Sequence, residues 1–140
     1  MAKHVLKDAQ VVINAVDLSD HVSSVTIESA RPEVDVTSMG ADFMETIAGI
    51  PDATITVSFF NDYAAGEVDA TLWPLASSDT PFTVAIRPTT AAISATNPEY
   101  QMSSLLFNYS PIAGDIGSAN TTEVTFRNAA QTGLVRDVTP

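Results

Sequence analysis

At 140 residues, 45% hydrophobic and 16% charged, the chain has the composition of one globular domain rather than a disordered segment. It contains no Cys, which excludes a disulfide framework, a thiolate nucleophile and a Cys-ligated metal. Seventeen Asp and Glu against six Lys and Arg give a formal charge of −11, which argues against a surface that grips nucleic-acid phosphates.

The opening stretch, Met1-Ala2-Lys3-His4-Val5-Leu6-Lys7-Asp8, lacks an apolar segment of signal-peptide length, so export by that route is not expected. No apolar run is long enough for a membrane anchor. Val11-Val12-Ile13 is a short β-branched run ended by Asn14, and Val25-Thr26-Ile27-Glu28 starts a period-two beat. From Glu33 to Asp52, two alternating arms (33–37 and 43–47) flank Ser38-Met39-Gly40-Ala41-Asp42, which predicts a long β-hairpin or extended loop. Its apolar set, Val34, Val36, Met39, Phe43, Met44 and Ile47, is generous for an arm facing water and predicts that the arm docks somewhere. Thr54 to Phe59 alternates cleanly, with Ile55, Val57 and Phe59 against Thr and Ser.

Ala64 to Leu75 breaks the beat. Val68 and Leu72 at i and i+4 predict one short helix starting near Asp62 or Gly66 and stopped by Pro74, with Trp73 as a lid on one end of the core. Alternation resumes in Phe82 to Arg87 and in Thr122 to Arg127. The stretch from Pro88 to Pro98 reads as a loose connection with room for a turn of helix. Between Met102 and Tyr109, the set Ser103, Leu105, Phe107 and Tyr109 predicts the inward face. Six or seven strands with one short helix predict an all-β sandwich or barrel in a single domain spanning 1–140.

Catalytic or metal chemistry finds no constellation. His4 lies in a polar stretch and His21 follows Ser19-Asp20 before a strand, with no second histidine at ligand spacing. Asp35 and Asp42 flank Gly40 without the alternating oxygens of a calcium loop, and the six glycines are too dispersed for a phosphate loop. No catalytic, cofactor or metal residue is therefore assigned, and the chain is expected not to be an enzyme.

A series of segments carries a family resemblance. It comprises Lys3-His4-Val5-Leu6-Lys7-Asp8, Val16-Asp17-Leu18-Ser19-Asp20-His21-Val22 and Val34-Asp35-Val36-Thr37-Ser38-Met39-Gly40. It continues through Ala65 to Leu75, Arg87-Pro88 and Ala95-Thr96-Asn97-Pro98-Glu99-Tyr100. In order and spacing, over roughly Lys3 to Asn128, these resemble the major tail tube proteins of long, non-contractile-tailed bacteriophages, of the short single-domain type. No one motif is diagnostic; the specificity comes from the series.

The resemblance implies a β-sandwich or half-barrel flanked by a helix, with six copies per ring and rings stacked into a hollow tube through which DNA passes without specific binding. It implies that the long loop reaches neighbouring subunits, making Val34, Val36, Met39, Phe43, Met44 and Ile47 interface candidates. Tape-measure and tail-tip or terminator proteins are the implied partners, and the virion tail, assembled in the bacterial cytoplasm, the implied location. An acidic lining would let DNA slide. If Ile55, Val57, Val124 and Phe126 face the core, Glu28 and Glu123 face away and become candidates for the lumen wall. Another virion module (capsid decoration or baseplate) or a related secretion-tube subunit is the alternative. A carbohydrate-binding domain would need clustered aromatics, whereas Tyr63, Trp73, Tyr100 and Tyr109 lie in different elements.

Overall fold

The first strand, β1 (Gln10–Ile13), reverses through Asn14 and Ala15, both at positive φ, into β2 (Val16–Asp17). This is the backbone that a tight two-residue hairpin needs to match strand twist. The protein is described here from a computed structural model, which covers residues 3–139. Met1, Ala2 and Pro140, the ends of the predicted domain and of the leader reading, lie outside the described residues.

After a 3-10 turn (Ser19–His21), β3 (Val22–Ala30) leads to a separate two-stranded ribbon of β4 (Glu33–Asp35) and β5 (Thr46–Ala48). Then follow β6 (Asp52–Phe60), helix α1 (Val68–Ala76), β7 (Phe82–Arg87), β8 (Glu99–Leu106), β9 (Thr121–Asn128) and β10 (Val135–Asp137). The main sheet is antiparallel throughout, in the order β2-β1-β7-β8-β9-β6-β3. One edge of β8 pairs with β7. The other is shared, β9 holding residues 104–106 and β10 holding 99–101. That division lets the sheet bend: β3 comes round until Val25 and Ile27 line a common cleft with Ile86 and Tyr100 of β7 and β8. The fold is thus all-β with one short helix, a half-barrel made by one sheet closing on its own core.

Alternation fixes the core face. Val11 and Ile13, Ile55, Val57 and Phe59, Val84 and Ile86, and Val124 and Phe126 are all buried, while their neighbours point outward. Phe82 and Phe126 meet edge to face across the interior with ring centroids 5.8 Å apart. Leu72, Val68 and Leu75 of α1 cover one side of that core.

Four details differ from the sequence expectation. The helix starts at Val68 instead of Ala64, because the Asp62 carboxylate accepts the Ala64 N–H at 2.9 Å and Gly66 (φ +79°) holds the approach in a turn. Pro74 lies inside the helix. It deprives the Ala70 carbonyl of its partner, but Ala70 is exposed to water and the burial of Leu72 and Leu75 secures the last turn. Trp73 is 61% exposed and tilts against Tyr109 at 6.5 Å, so it is no core lid; Leu72 and Leu75, on either side of it in sequence, take the inward positions. In β8 the buried residues are Met102, Ser104 and Leu106, the parity opposite to the predicted set, and Phe107 is exposed. The doublets Ser103-Ser104 and Leu105-Leu106 give both parities nearly the same pattern, so only packing chose between them.

Pro88 to Pro98 contains no helix. Asn97 organises it, its amide donating to the carbonyls of Ala91 (2.9 Å) and Ala92 (3.2 Å) and accepting the Thr89 N–H.

Candidate assembly surfaces

The ribbon formed by β4 and β5 is amphipathic. Val34 opposes Ile47 and Val36 follows on the same face, while Glu33 and Asp35 share the other face with Ala48 and Thr46. Its tip is stiffened by Thr37, whose hydroxyl donates to Asp35 at 2.6 Å and accepts the Glu45 N–H at 2.7 Å. These bonds, first from the Thr37 hydroxyl and then from its N–H, hold the Asp35 carboxyl below its usual range. At the base, the Gly49 N–H bonds the Pro32 carbonyl at 2.7 Å, an approach so close that a Cβ on Gly49 would lie 2.6 Å from Pro32 Cγ.

All six predicted interface residues are therefore on one ribbon, and all are exposed: Met39, Phe43 (87%), Met44 (77%), Ile47, Val34 and Val36. Ile50, beside them, is exposed as well and was not singled out from the sequence. Among the described residues, nothing in the chain's own body buries these side chains. An exposed apolar set of this size on an ordered arm has the character of an interaction surface.

Glu28 and Glu123 lie on one face. The register aligns Glu28, Thr54 and Arg127 in one row, Thr26, Thr56 and Thr125 in the next, and Ser24, Ser58 and Glu123 in a third. This is the outward face of β3, β6 and β9, made of hydroxyls and charges. Arg127 is paired with Asp52 at 3.0 Å, which leaves the two glutamates as its uncompensated charges. Strand β3 is also an edge: among the described residues it pairs only with β6, so nine residues of backbone present an unpaired side, a surface that another strand can extend.

A cluster that the sequence did not reveal surrounds His21. Its Nδ1 lies 2.8 Å from Asp20, and its Nε2 lies 3.0 Å from Asp62 and 3.5 Å from Glu67. Partial burial pulls the imidazolium down, but hydrogen bonds to Asp62 and Asp20 and the charges of Asp20 and Glu67 outweigh it, and the His21 pKa is raised. Asp20, His21 and Glu67 offer ligand atoms within 4.8 Å of one another, a spacing compatible with a cation. The carboxylates instead bracket the ring from opposite nitrogens, which is the arrangement of a clamped imidazolium. It ties the turn before β3 to the approach of α1. Asp62 and Glu67 lie more than forty residues from His21 in sequence, so no local motif could have shown them.

A second apolar end was missed likewise. Phe60, Phe107, Ile112 and Ile116 are exposed around the loop between β8 and β9. Asn61 and Tyr63 hold this loop by donating to the Pro111 carbonyl, each at 2.6 Å. Nearby, the Tyr109 hydroxyl donates to Asp69 at 2.7 Å; burial first, then that bond, pushes its pKa up to about 12.

No protein-family model matches the chain, and no curated protein matches it by sequence. Solved structures do match its fold. One is a chain in the virion of a native gene transfer agent particle, at 14% identity and TM-score 0.75, covering 99% of this chain and 100% of that one. A chain in the tail of an empty gene transfer agent particle, refined with C6 symmetry, matches at 15% identity and TM-score 0.65, covering 86% and 83%. A chain in the sheath–tube complex of an extracellular contractile injection system matches at 10% identity and TM-score 0.73, covering 98% and 93%. The chain shares its fold with the matched chains of the gene transfer agent virion and the injection-system complex along nearly its whole length.

Proposed function

We propose that the protein is the subunit of a phage tail tube, self-assembling into stacked hexameric rings around a channel that DNA traverses. The observation that carries this reading is the exposed apolar ribbon on a half-barrel whose fold runs end to end with a chain of a gene transfer agent virion and matches most of a chain in a C6-symmetric gene transfer agent tail. The open edge of β3 supplies directional backbone pairing between neighbours in a ring, and the ribbon supplies apolar contact to a further copy. The row face bearing Glu28 and Glu123 becomes the channel wall, where fixed negative charge keeps DNA mobile. In this reading the chain acts as a structural part and not as a catalyst. The tail is of the long, non-contractile kind, the partners are tape-measure and tail-tip or terminator proteins, and assembly takes place in the bacterial cytoplasm.

Electron microscopy of the purified protein at rising concentration, with sizing beside it, tests the proposal. Hollow stacked-ring filaments are expected. A monomer at every concentration, also in the presence of a tail-tip complex, overturns it in favour of a capsid-decorating or baseplate module. The injection-system match gives a second reading, a tube inside a contractile sheath; filaments that recruit a sheath protein would support it over the non-contractile tail.

A further inference from the structure

We propose that residues 3–8 form a removable strap over the unpaired side of β3, holding that edge closed until assembly displaces it. This rests on the tube reading and adds to it a control on the pairing edge. Nine residues of open strand edge would let subunits pair by chance, and natural proteins blunt such edges, among other ways by laying a loop across them. Strand β3 has β6 along one side. The N-terminal segment lies against the rest of it. Leu6 and Lys7 share a cleft of about 320 Å³ with Val22, Ser23 and Val25. Leu6 and His4 share a second, of about 290 Å³, with Val25 and Ile27, and its far wall is Ile86 of β7 and Tyr100 of β8. The segment thus runs beside β3 from Val22 to Ile27 and spans the seam where the half-barrel comes round, with Leu6 between the two clefts.

The strap is lightly held. Residues 3–8 have no regular structure, and among the described residues no backbone hydrogen bond or ion pair ties them to the body. Val5 is 72% and Leu6 53% exposed, so lifting them uncovers little apolar surface. The same motion opens the N–H and C=O groups of β3 to a partner strand. The other side of β3 is fixed by contrast: Ile55, Val57 and Phe59 of β6 are fully buried, so β3 keeps its place when the strap moves. A cover without backbone hydrogen bonds is no match for a strand that supplies a full ladder. It discourages chance encounters and yields to a neighbour presented in register.

Two full-length variants test the strap. Leu6→Ser loosens it without adding charge. It is expected to lower the concentration needed for filament assembly about fivefold, read by light scattering, with the thermal midpoint unchanged. Lys7→Cys with Ser23→Cys places two thiols on one cleft of a chain that has no other Cys. Oxidation of free subunits is expected to form the intramolecular disulfide and block assembly, and reduction to restore it. Leu6→Ser subunits that assemble at the wild-type concentration or above it overturn the strap while leaving the tube reading in place. So does failure of the disulfide to form, or oxidised subunits that still build filaments. If neither wild-type nor Leu6→Ser subunits assemble at any concentration, also with a tail-tip complex, the tube reading falls and the strap with it.

Discussion

Ala15 sits at φ +67° in the turn between β1 and β2, where a β-carbon costs about 1 kcal/mol that glycine does not pay. Ala15→Gly is therefore expected to raise the unfolding free energy by about 1 kcal/mol in urea titration, less the entropy that glycine adds to the unfolded chain. Phe126, fully buried and edge-on to Phe82, sets the opposite scale: Phe126→Ala should cost about 3–5 kcal/mol in the same assay. His21 makes stability depend on pH. Its folded pKa is raised, so its contribution is complete below its unfolded value of about 6.5 and disappears as pH rises through the higher folded value. Denaturation midpoints measured from pH 6 upward (roughly the unfolded pKa) should fall for the wild type, and His21→Gln should flatten that decline. Asp62 and Asp35, both lowered, act in the other direction: their contribution is lost on acidification through the usual carboxylate range.

The ribbon of β4 and β5 stands apart from the main sheet, so damage to it should separate assembly from folding. Phe43→Asp removes an exposed side chain whose burial at an interface is worth about 2 kcal/mol. It is expected to leave the thermal midpoint unchanged and to raise the assembly concentration at least about tenfold, as read by light scattering. Gly49→Ala places a β-carbon 2.6 Å from Pro32 Cγ and 3.2 Å from its carbonyl oxygen. Because the Gly49–Pro32 hydrogen bond closes the ribbon's base, hydrogen exchange should speed up across 33–48 and stay unchanged in β6 and β9. Within the free subunit, the whole ribbon should exchange faster than it does in the assembled tube.

At the scale of the whole molecule, an acidic chain can have a neutral, a sticky or a repelling wall depending on which face looks inward. Glu28→Lys with Glu123→Lys reverses both uncompensated charges of the β3-β6-β9 face without touching the core. Tubes of this variant are expected to assemble and to retain duplex DNA at low salt, with binding that falls linearly in log affinity against log salt. Nuclease protection of the retained DNA would place that face in the channel. Variant tubes that ignore DNA would remove it from there.

Period-two alternation in Thr54 to Phe59, Phe82 to Arg87 and Thr122 to Arg127 was enough to read the three strands and their inward faces, because each apolar residue there has polar neighbours. The ribbon itself was legible from its two alternating arms, and parity put Glu28 and Glu123 on one outward face. Local pattern failed where it was degenerate or where the partner was remote. The β8 doublets fit either parity, and the body of the fold settled on Met102 and Leu106 because these could reach the shared core. Trp73 obeys helical spacing, yet the short helix has room to bury only Val68, Leu72 and Leu75. The His21 clamp, the free side of β3, and the cleft that joins Leu6 to Tyr100 all depend on strands brought together from distant parts of the chain. Composition and alternation act through neighbours in sequence and so select the strands and their faces. Sheet closure, edge exposure and charge pairing act through neighbours in space, and came into being only when β3 curled back toward β7 and β8.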